Sequence, residues 1–185
     1  MIYEFLANGF EEVEALAVVD ILRRGGLDVQ TVSCTGTDFI ESAHGVTFKA
    51  DVRIEDVDFS AAEMLLLPGG MPGATNLNEH PLVRKAVTEQ NEKGGRIGAI
   101  CAAPLVLGGL GVLKGKRATC YPGFENTLEG AEYTHELFTV DGNVITGEGP
   151  AATFPYAYAI LSMFVETEMV EQIKEGMMYN HLMNS

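Results

Sequence analysis

The sequence predicts an α/β protein built on a mostly parallel sheet with helices on both faces. Three observations carry this reading. Short β-rich runs alternate with segments whose apolar residues recur at helical spacing, and several strands, Met64–Leu67 above all, are continuously apolar rather than alternating. Glycine and proline stand between the segments as punctuation rather than in a repeat. With 185 residues and 46% apolar content the chain fits a single domain spanning 1–185, in which 167–185 form a helical tail.

The elements follow in order. Ile2–Ala7 reads as a strand, and Glu11–Arg24 as a helix with Val13, Leu16, Ala17 and Ile21 at helical spacing, ended by Gly25-Gly26. Val29–Ser33 is a second strand, and Phe39–Asp51 a short hairpin or pair of edge strands. Met64–Leu67 stops at Pro68-Gly69-Gly70. Pro81–Lys93 is a surface helix with proline in its first turn, closed by Gly94-Gly95. Arg96–Ile100 is strand-like, Pro104–Leu113 is helical despite Gly108 and Gly109, and Arg117–Tyr121 is a further strand. Leu137–Val140 and Val144–Thr146 make a hairpin across Asp141-Gly142, and Thr153–Val165 is an apolar helix. In the tail, Val170, Ile173 and Met177 fall on one face, as a docked amphipathic helix requires.

A net charge of −14 with no lysine- or arginine-rich run disfavours stable binding to nucleic acid or to an anionic membrane surface. No stretch reaches the ~20 apolar residues of a membrane span. Residues 1–7 carry an acidic residue and run into Asn8-Gly9, unlike a signal peptide. Three cysteines (Cys34, Cys101 and Cys120) in a chain of this length argue against a disulfide scaffold. The expected compartment is the reducing cytoplasm. The four histidines, His44, His80, His135 and His181, show no metal-ligand spacing, so no metal is expected.

In parallel sheets functional groups gather outside the carboxyl ends of the strands. Three turns fall there. Cys101 follows Ile100 and is flanked by Ala99, Ala102 and Ala103, the small residues that a tight strand-to-helix turn demands around an exposed nucleophile. Pro104 suits the first turn of the following helix, whose N-terminus is expected to lower the thiol pKa. Gly69-Gly70 after a buried strand permits close backbone approach and an amide-lined anion pocket. Glu14, three residues past Glu11, is placed to turn toward the sheet end and carry a proton. Each feature also has a plain structural explanation: a core cysteine, an ordinary turn, a solvated helix cap.

Taken together, the stretches ANGFEEVEALAVVDILRRGG, LLLPGGMPGATNL, IGAICAAPLVL, ATCYP and ITGEGPAATFPYA, in register over roughly residues 1–165, resemble the ThiJ/PfpI superfamily, in the bacterial-type branch of its DJ-one/PfpI family. The resemblance implies a flavodoxin-like (class I glutaminase-like) three-layer α/β sandwich and a homodimer. It implies Cys101 as the reactive cysteine, Glu14 as the protonated carboxyl beside it, and the amides of Gly70 and Ala102 as the anion pocket. Gly69, Ala103, Tyr121, His44 and Pro150 are the accompanying pocket-lining candidates; His44 lies in the Ser42–Gly45 turn, where relatives often carry arginine near the site. The implied activity needs no cofactor and acts on small reactive carbonyls or glycated proteins, as a glyoxalase or deglycase. The alternative is a non-enzymatic redox sensor or chaperone whose Cys101 is oxidised to sulfinate, and a third option is an inert binding domain.

Two departures bear on chemistry. Eukaryotic members place a histidine twenty residues after the cysteine, where this chain has Tyr121, a phenol and a poor base at neutral pH. The protease-like branch follows its cysteine with histidine, where this chain has Ala102, and peptidase activity is not expected. The first turn NGFEE also lacks the Ser/Thr-rich phosphate loop of a flavin protein.

Overall fold

The computed structural model describes all 185 residues. The strands are β1 Ile2–Leu6, β2 Val29–Ser33, β3 Phe39–Glu41, β4 Thr47–Lys49, β5 Val52–Arg53, β6 Met64–Leu67, β7 Arg96–Ile100, β8 Arg117–Ala118, β9 Glu132–Tyr133, β10 Phe138–Asp141 and β11 Val144–Gly147. The helices are α1 Glu12–Arg24, α2 Gly73–Glu79, α3 Pro81–Glu92, α4 Pro104–Gly109, α5 Thr153–Leu161, α6 Thr167–Gly176 and α7 Tyr179–Met183.

Seven strands form the central sheet in the order β10-β11-β7-β6-β1-β2-β5. All neighbours are parallel except the β10–β11 hairpin at one edge. Helices α1 and α5 pack together on one face, and α3 covers β6 and β7 from the other with α2 and α4 beside it. This is the parallel α/β sheet that the sequence predicts, in the flavodoxin-like sandwich that the resemblance implies. The strands are apolar on both sides because both sides are covered: all four residues of β6 and of β11 are buried.

The helix α1 shows why each face forms. Ala15, Val18, Val19, Ile21 and Leu22 are buried against the sheet, while Glu12 in the first turn and Arg23 and Arg24 in the last complement the helix dipole. A satellite core of Leu6, Phe10, Ala15, Ile40 and Ala50 ties the β3–β4 hairpin to the start of α1. In the tail, Val170 and Ile173 of α6 are buried and Met177 packs against the main core.

Three sequence expectations change. Pro104–Leu113 is helical only to Gly109, because glycines at 108 and 109 favour an early end. Gly108 is also pressed against the Thr127 carbonyl, with no room for a side chain. Arg117–Tyr121 shrinks to the two residues of β8, which pair with β9 outside the central sheet. The segment after the cis Met71–Pro72 peptide, left unassigned by sequence pattern, forms α2.

Strand β1 continues to β2 on one side, and the chain later returns to β6 on the other. The carboxyl ends of β1 and β6 therefore flank a point where the winding reverses, the place where open α/β sheets leave a crevice. Strand β7 ends one position farther along the same edge.

Candidate active site

Cys101 is the first residue past β7 and holds φ at +64°, the left-handed region that a residue with a side chain occupies only under constraint. Two main-chain hydrogen bonds supply that constraint. The Cys101 N–H donates to the Gly147 carbonyl at 2.9 Å, and the Cys101 carbonyl accepts from the Tyr121 N–H at 2.8 Å. The flanking Ala99, Ala102 and Ala103 are all buried, so nothing larger fits around the elbow. The thiol is 8% exposed, which leaves a narrow opening rather than a broad cleft.

Glu14 reaches the same spot from the first turn of α1 and is fully buried. Its Oε2 accepts the Gly69 N–H at 2.8 Å, and the Cys101 sulfur shares the space beside it. Gly69 makes this meeting possible. A Cβ built there would stand 2.6 Å from Oε2, 2.6 Å from the Cys101 Cβ and 3.0 Å from Sγ. The space a side chain would take is the space the sulfur and carboxyl share. Gly70, at φ +84°, turns its N–H toward the sulfur, and the Ala102 N–H does the same. The main-chain donors and the sulfur thus form an anion-stabilising pocket.

Burial pushes the Glu14 carboxyl up to about 7, opposed by its hydrogen bonds to Cys101 and the Gly69 amide. Burial also pushes the Cys101 thiol up, and the Glu14 charge acts in the same direction, against the Gly70 and Ala102 amides. This corrects the expectation of a lowered thiol pKa from a helix N-terminus. Helix α4 spans six residues and starts three positions beyond the sulfur, so its dipole is weak where burial is strong. Cys101 and Glu14 titrate as one coupled pair.

The other expected residues fall around this pair at different distances. Tyr121 is 45% exposed, tied to Cys101 by its main chain, with its ring lying on Gly149. Pro150 follows Gly149 and opens a one-turn helix. His44 stands farther off, paired through Nδ1 with both Glu12 carboxylate oxygens at 3.1 Å and with Glu11 at 3.7 Å. Hydrogen bonding to Glu12 pushes His44 up. The carboxylates of Glu11 and Glu12 and the His44 ring lie within 4.8 Å of one another, a juxtaposition that histidine spacing alone did not reveal and that the ion pair accounts for. Cys34 and Cys120 are buried, and burial pushes the Cys120 thiol up to about 12. A surface groove of about 540 Å³ lies elsewhere, between β10, α5 and the C-terminal helices, and contains none of these groups.

The geometry has close counterparts among known proteins. Residues 1–163 match the family model described as the DJ-1/PfpI family. The chain belongs to the DJ-1/PfpI family. A Danio rerio relative, Parkinson disease protein 7 homolog, is 34% identical over 91% of this chain and 92% of its own. The Caenorhabditis elegans protein called glutathione-independent glyoxalase DJR-1.2 is 33% identical over 82% of this chain and 81% of its own. The chain spans only 39% and 44% of two Arabidopsis thaliana relatives, DJ-1 homologs B and A. Among solved structures, Drosophila melanogaster DJ-1beta superposes with a TM-score of 0.92 at 32% identity, covering 96% of both chains. Toxoplasma gondii DJ-1, solved in an oxidized form, superposes with a TM-score of 0.91 at 28% identity, covering 96% of this chain and 97% of its own. Within this DJ-1/PfpI fold, sequence reasoning missed two buried groups beneath the pair, Glu4 and Tyr156. The one signal available was an acidic residue inside the apolar run IYEFL.

Proposed function

We propose that the protein converts small α-ketoaldehydes such as methylglyoxal to 2-hydroxy acids, with Cys101 as nucleophile and Glu14 as proton carrier. The observation that carries this reading is the shared space at Gly69, where sulfur and carboxyl converge beside two inward-turned amides. The thiolate adds to the aldehyde carbon, forming a C–S bond. The resulting oxyanion takes the Glu14 proton as the Gly70 and Ala102 amides stabilise it. The Glu14 carboxylate then removes the C–H proton from that carbon and returns it to the neighbouring carbon, while the hydroxyl proton of the first carbon passes to the oxygen of the second, which yields a 2-hydroxy thioester. Water cleaves the thioester, releasing the hydroxy acid and the thiolate. Oxidation of one carbon is balanced by reduction of the next, so the sequence needs no external oxidant or cofactor. A glyoxalase-named relative supports the substrate class; an early carbonyl adduct on a protein is the same functional group on a larger carrier. Cytoplasmic location and a homodimer belong to the same proposal.

A second reading has the pocket hold oxidised Cys101 as a sulfinate, with Glu14 as a hydrogen-bond donor and the amides as a clamp. An oxidized structural relative favours it. The test is lactate formation from methylglyoxal by wild type, Cys101→Ser and Glu14→Gln, with intact mass recorded before and after. Loss of turnover in both variants is expected. Unchanged turnover in Cys101→Ser overturns the enzymatic reading, and absence of turnover with a stable +32 Da species on peroxide treatment establishes the second.

A further inference from the structure

A second buried acid lies in the sheet beneath the site and has no part in the reaction above. Glu4 sits in the middle of β1, is 2% exposed, and its Oε2 has no hydrogen-bond partner. A carboxyl in that position is costly unless something uses it, because burying polar oxygen without a partner is unfavourable. Strand register places its neighbours. Glu4 pairs with Thr31 of β2 and Leu66 of β6, and Leu66 pairs with Gly98 of β7, forming one row across the sheet. Gly98 leaves a gap in that row, and the Tyr156 hydroxyl of α5 fills it, 2.5 Å from where a Gly98 Cβ would stand. Adjacent strands are about 4.8 Å apart, so the Glu4 and Gly98 backbones are separated by roughly 10 Å. The glutamate and tyrosine side chains therefore converge over Leu66.

From α1, Glu14 accepts the N–H of Gly69, three residues past Leu66 at the end of β6, and its Oε1 is likewise buried without a partner. The three groups sense one another: burial pushes Glu4 well up and Glu14 adds to it, and both carboxyls add to the rise that burial imposes on Tyr156. The titratable groups facing Glu4 are thus Glu14 from α1 and Tyr156 from α5. The flanking row residues, Thr31 and Leu66, carry no charge.

We propose that Glu4 is a positioning residue of the site, a second buried carboxyl coupled to Glu14 that keeps the last proton of the Glu14–Cys101 pair in place as pH rises. The inference rests on the reading of Glu14 as proton carrier. Its physical basis is that two carboxylates in one desolvated space cannot both carry charge at low cost, so the cluster retains protons that either carboxyl alone would release. Any charge Glu4 takes as pH rises then tightens the hold of Glu14 and Cys101 on their last proton.

The experiment is the pH profile of Cys101 alkylation by iodoacetamide, mapped by peptide mass, in wild type, Glu4→Gln and Glu4→Val, together with urea unfolding across the same pH range. Both substitutions are expected to move the upper limb of the profile to lower pH by about half a unit, raising alkylation at a fixed alkaline pH about threefold. The wild-type unfolding constant should rise with pH above the ordinary carboxylate range, by up to about tenfold per unit per retained proton, and less steeply in both variants. An alkylation profile that superimposes on wild type would overturn the proposal, since a buried carboxyl that merely keeps its own proton changes the unfolding slope but leaves Cys101 unmoved. Methylglyoxal turnover, measured alongside, separates the two readings. A shifted profile without turnover upholds the coupling and removes the glyoxalase; turnover with an unshifted profile does the reverse.

Discussion

Gly69 is the residue whose missing side chain matters most. A Cβ there would fall 2.6 Å from both the Glu14 carboxyl and the Cys101 Cβ, and neither has space to retreat, since Glu14 is fully buried and Cys101 is pinned at both its N–H and its carbonyl. We expect Gly69→Ala to cost about 1–3 kcal/mol in urea unfolding by overpacking. Turnover should fall at least about a hundredfold, in the range that misplacement by an ångström produces. A Gly69→Ala enzyme with wild-type turnover would refute the shared-space argument. Glu14 gives a second prediction. Its folded pKa, about 7, is above its ordinary value, so native protein holds a proton that the unfolded chain releases. That contribution is harmless below the ordinary carboxylate pKa and becomes destabilising as pH rises toward 7. Glu14→Gln should therefore flatten the decline of stability between pH 5 and 7 while abolishing proton transfer. Glu14→Leu, which removes the charge that pushes the thiol up, should in addition lower the pH at which Cys101 alkylates. Cys101, Glu14, Gly69, Gly70 and Ala102 were all legible in the sequence, because each sits in a turn of distinctive composition. The direction of the thiol shift was not, because helix termini are visible in a sequence and depth of burial is not.

At the scale of elements, pattern reading succeeds where one periodicity persists and fails where tertiary contact decides. Strands β2, β6 and β7 have the boundaries their apolar runs predict, and α1 and α3 the ends their glycines and proline predict. Helix α4 stops early on adjacent glycines, and residues 117–121 lose strand structure because their hydrogen bonds go to the Thr146 side chain, the Cys101 carbonyl and the β9 segment rather than along the main chain of a central strand. Glu4 and Tyr156 escaped notice for the same reason: only register across three strands brings them together. The tail offers a clean element-scale test. Val170 and Ile173 anchor α6 from one face, so Ile173→Ala should cost about 2–4 kcal/mol of packing. Amide exchange across 167–176 should accelerate first. Uniform slow exchange in that variant would mean that α6 is held by other contacts.

For the molecule as a whole, the family fold and the partly apolar first helix lead us to expect a homodimer. Light scattering across micromolar concentrations should give about twice the 19.9 kDa chain mass, and a monomer mass throughout would refute it. The net charge of −14 should keep that assembly soluble and free of nucleic acid at physiological salt. The site itself draws on segments scattered over most of the chain. Glu14, Gly69-Gly70, Cys101-Ala102, Tyr121 and Gly147 meet only after β1, β6, β7 and β11 are in place. In an unfolded chain Cys101 is an ordinary thiol, no different from Cys34 or Cys120. Its anomalous titration therefore certifies the native state one molecule at a time: the fraction of Cys101 that labels like a free thiol counts the misfolded population directly, even in a crude mixture where no spectroscopic signal could be assigned.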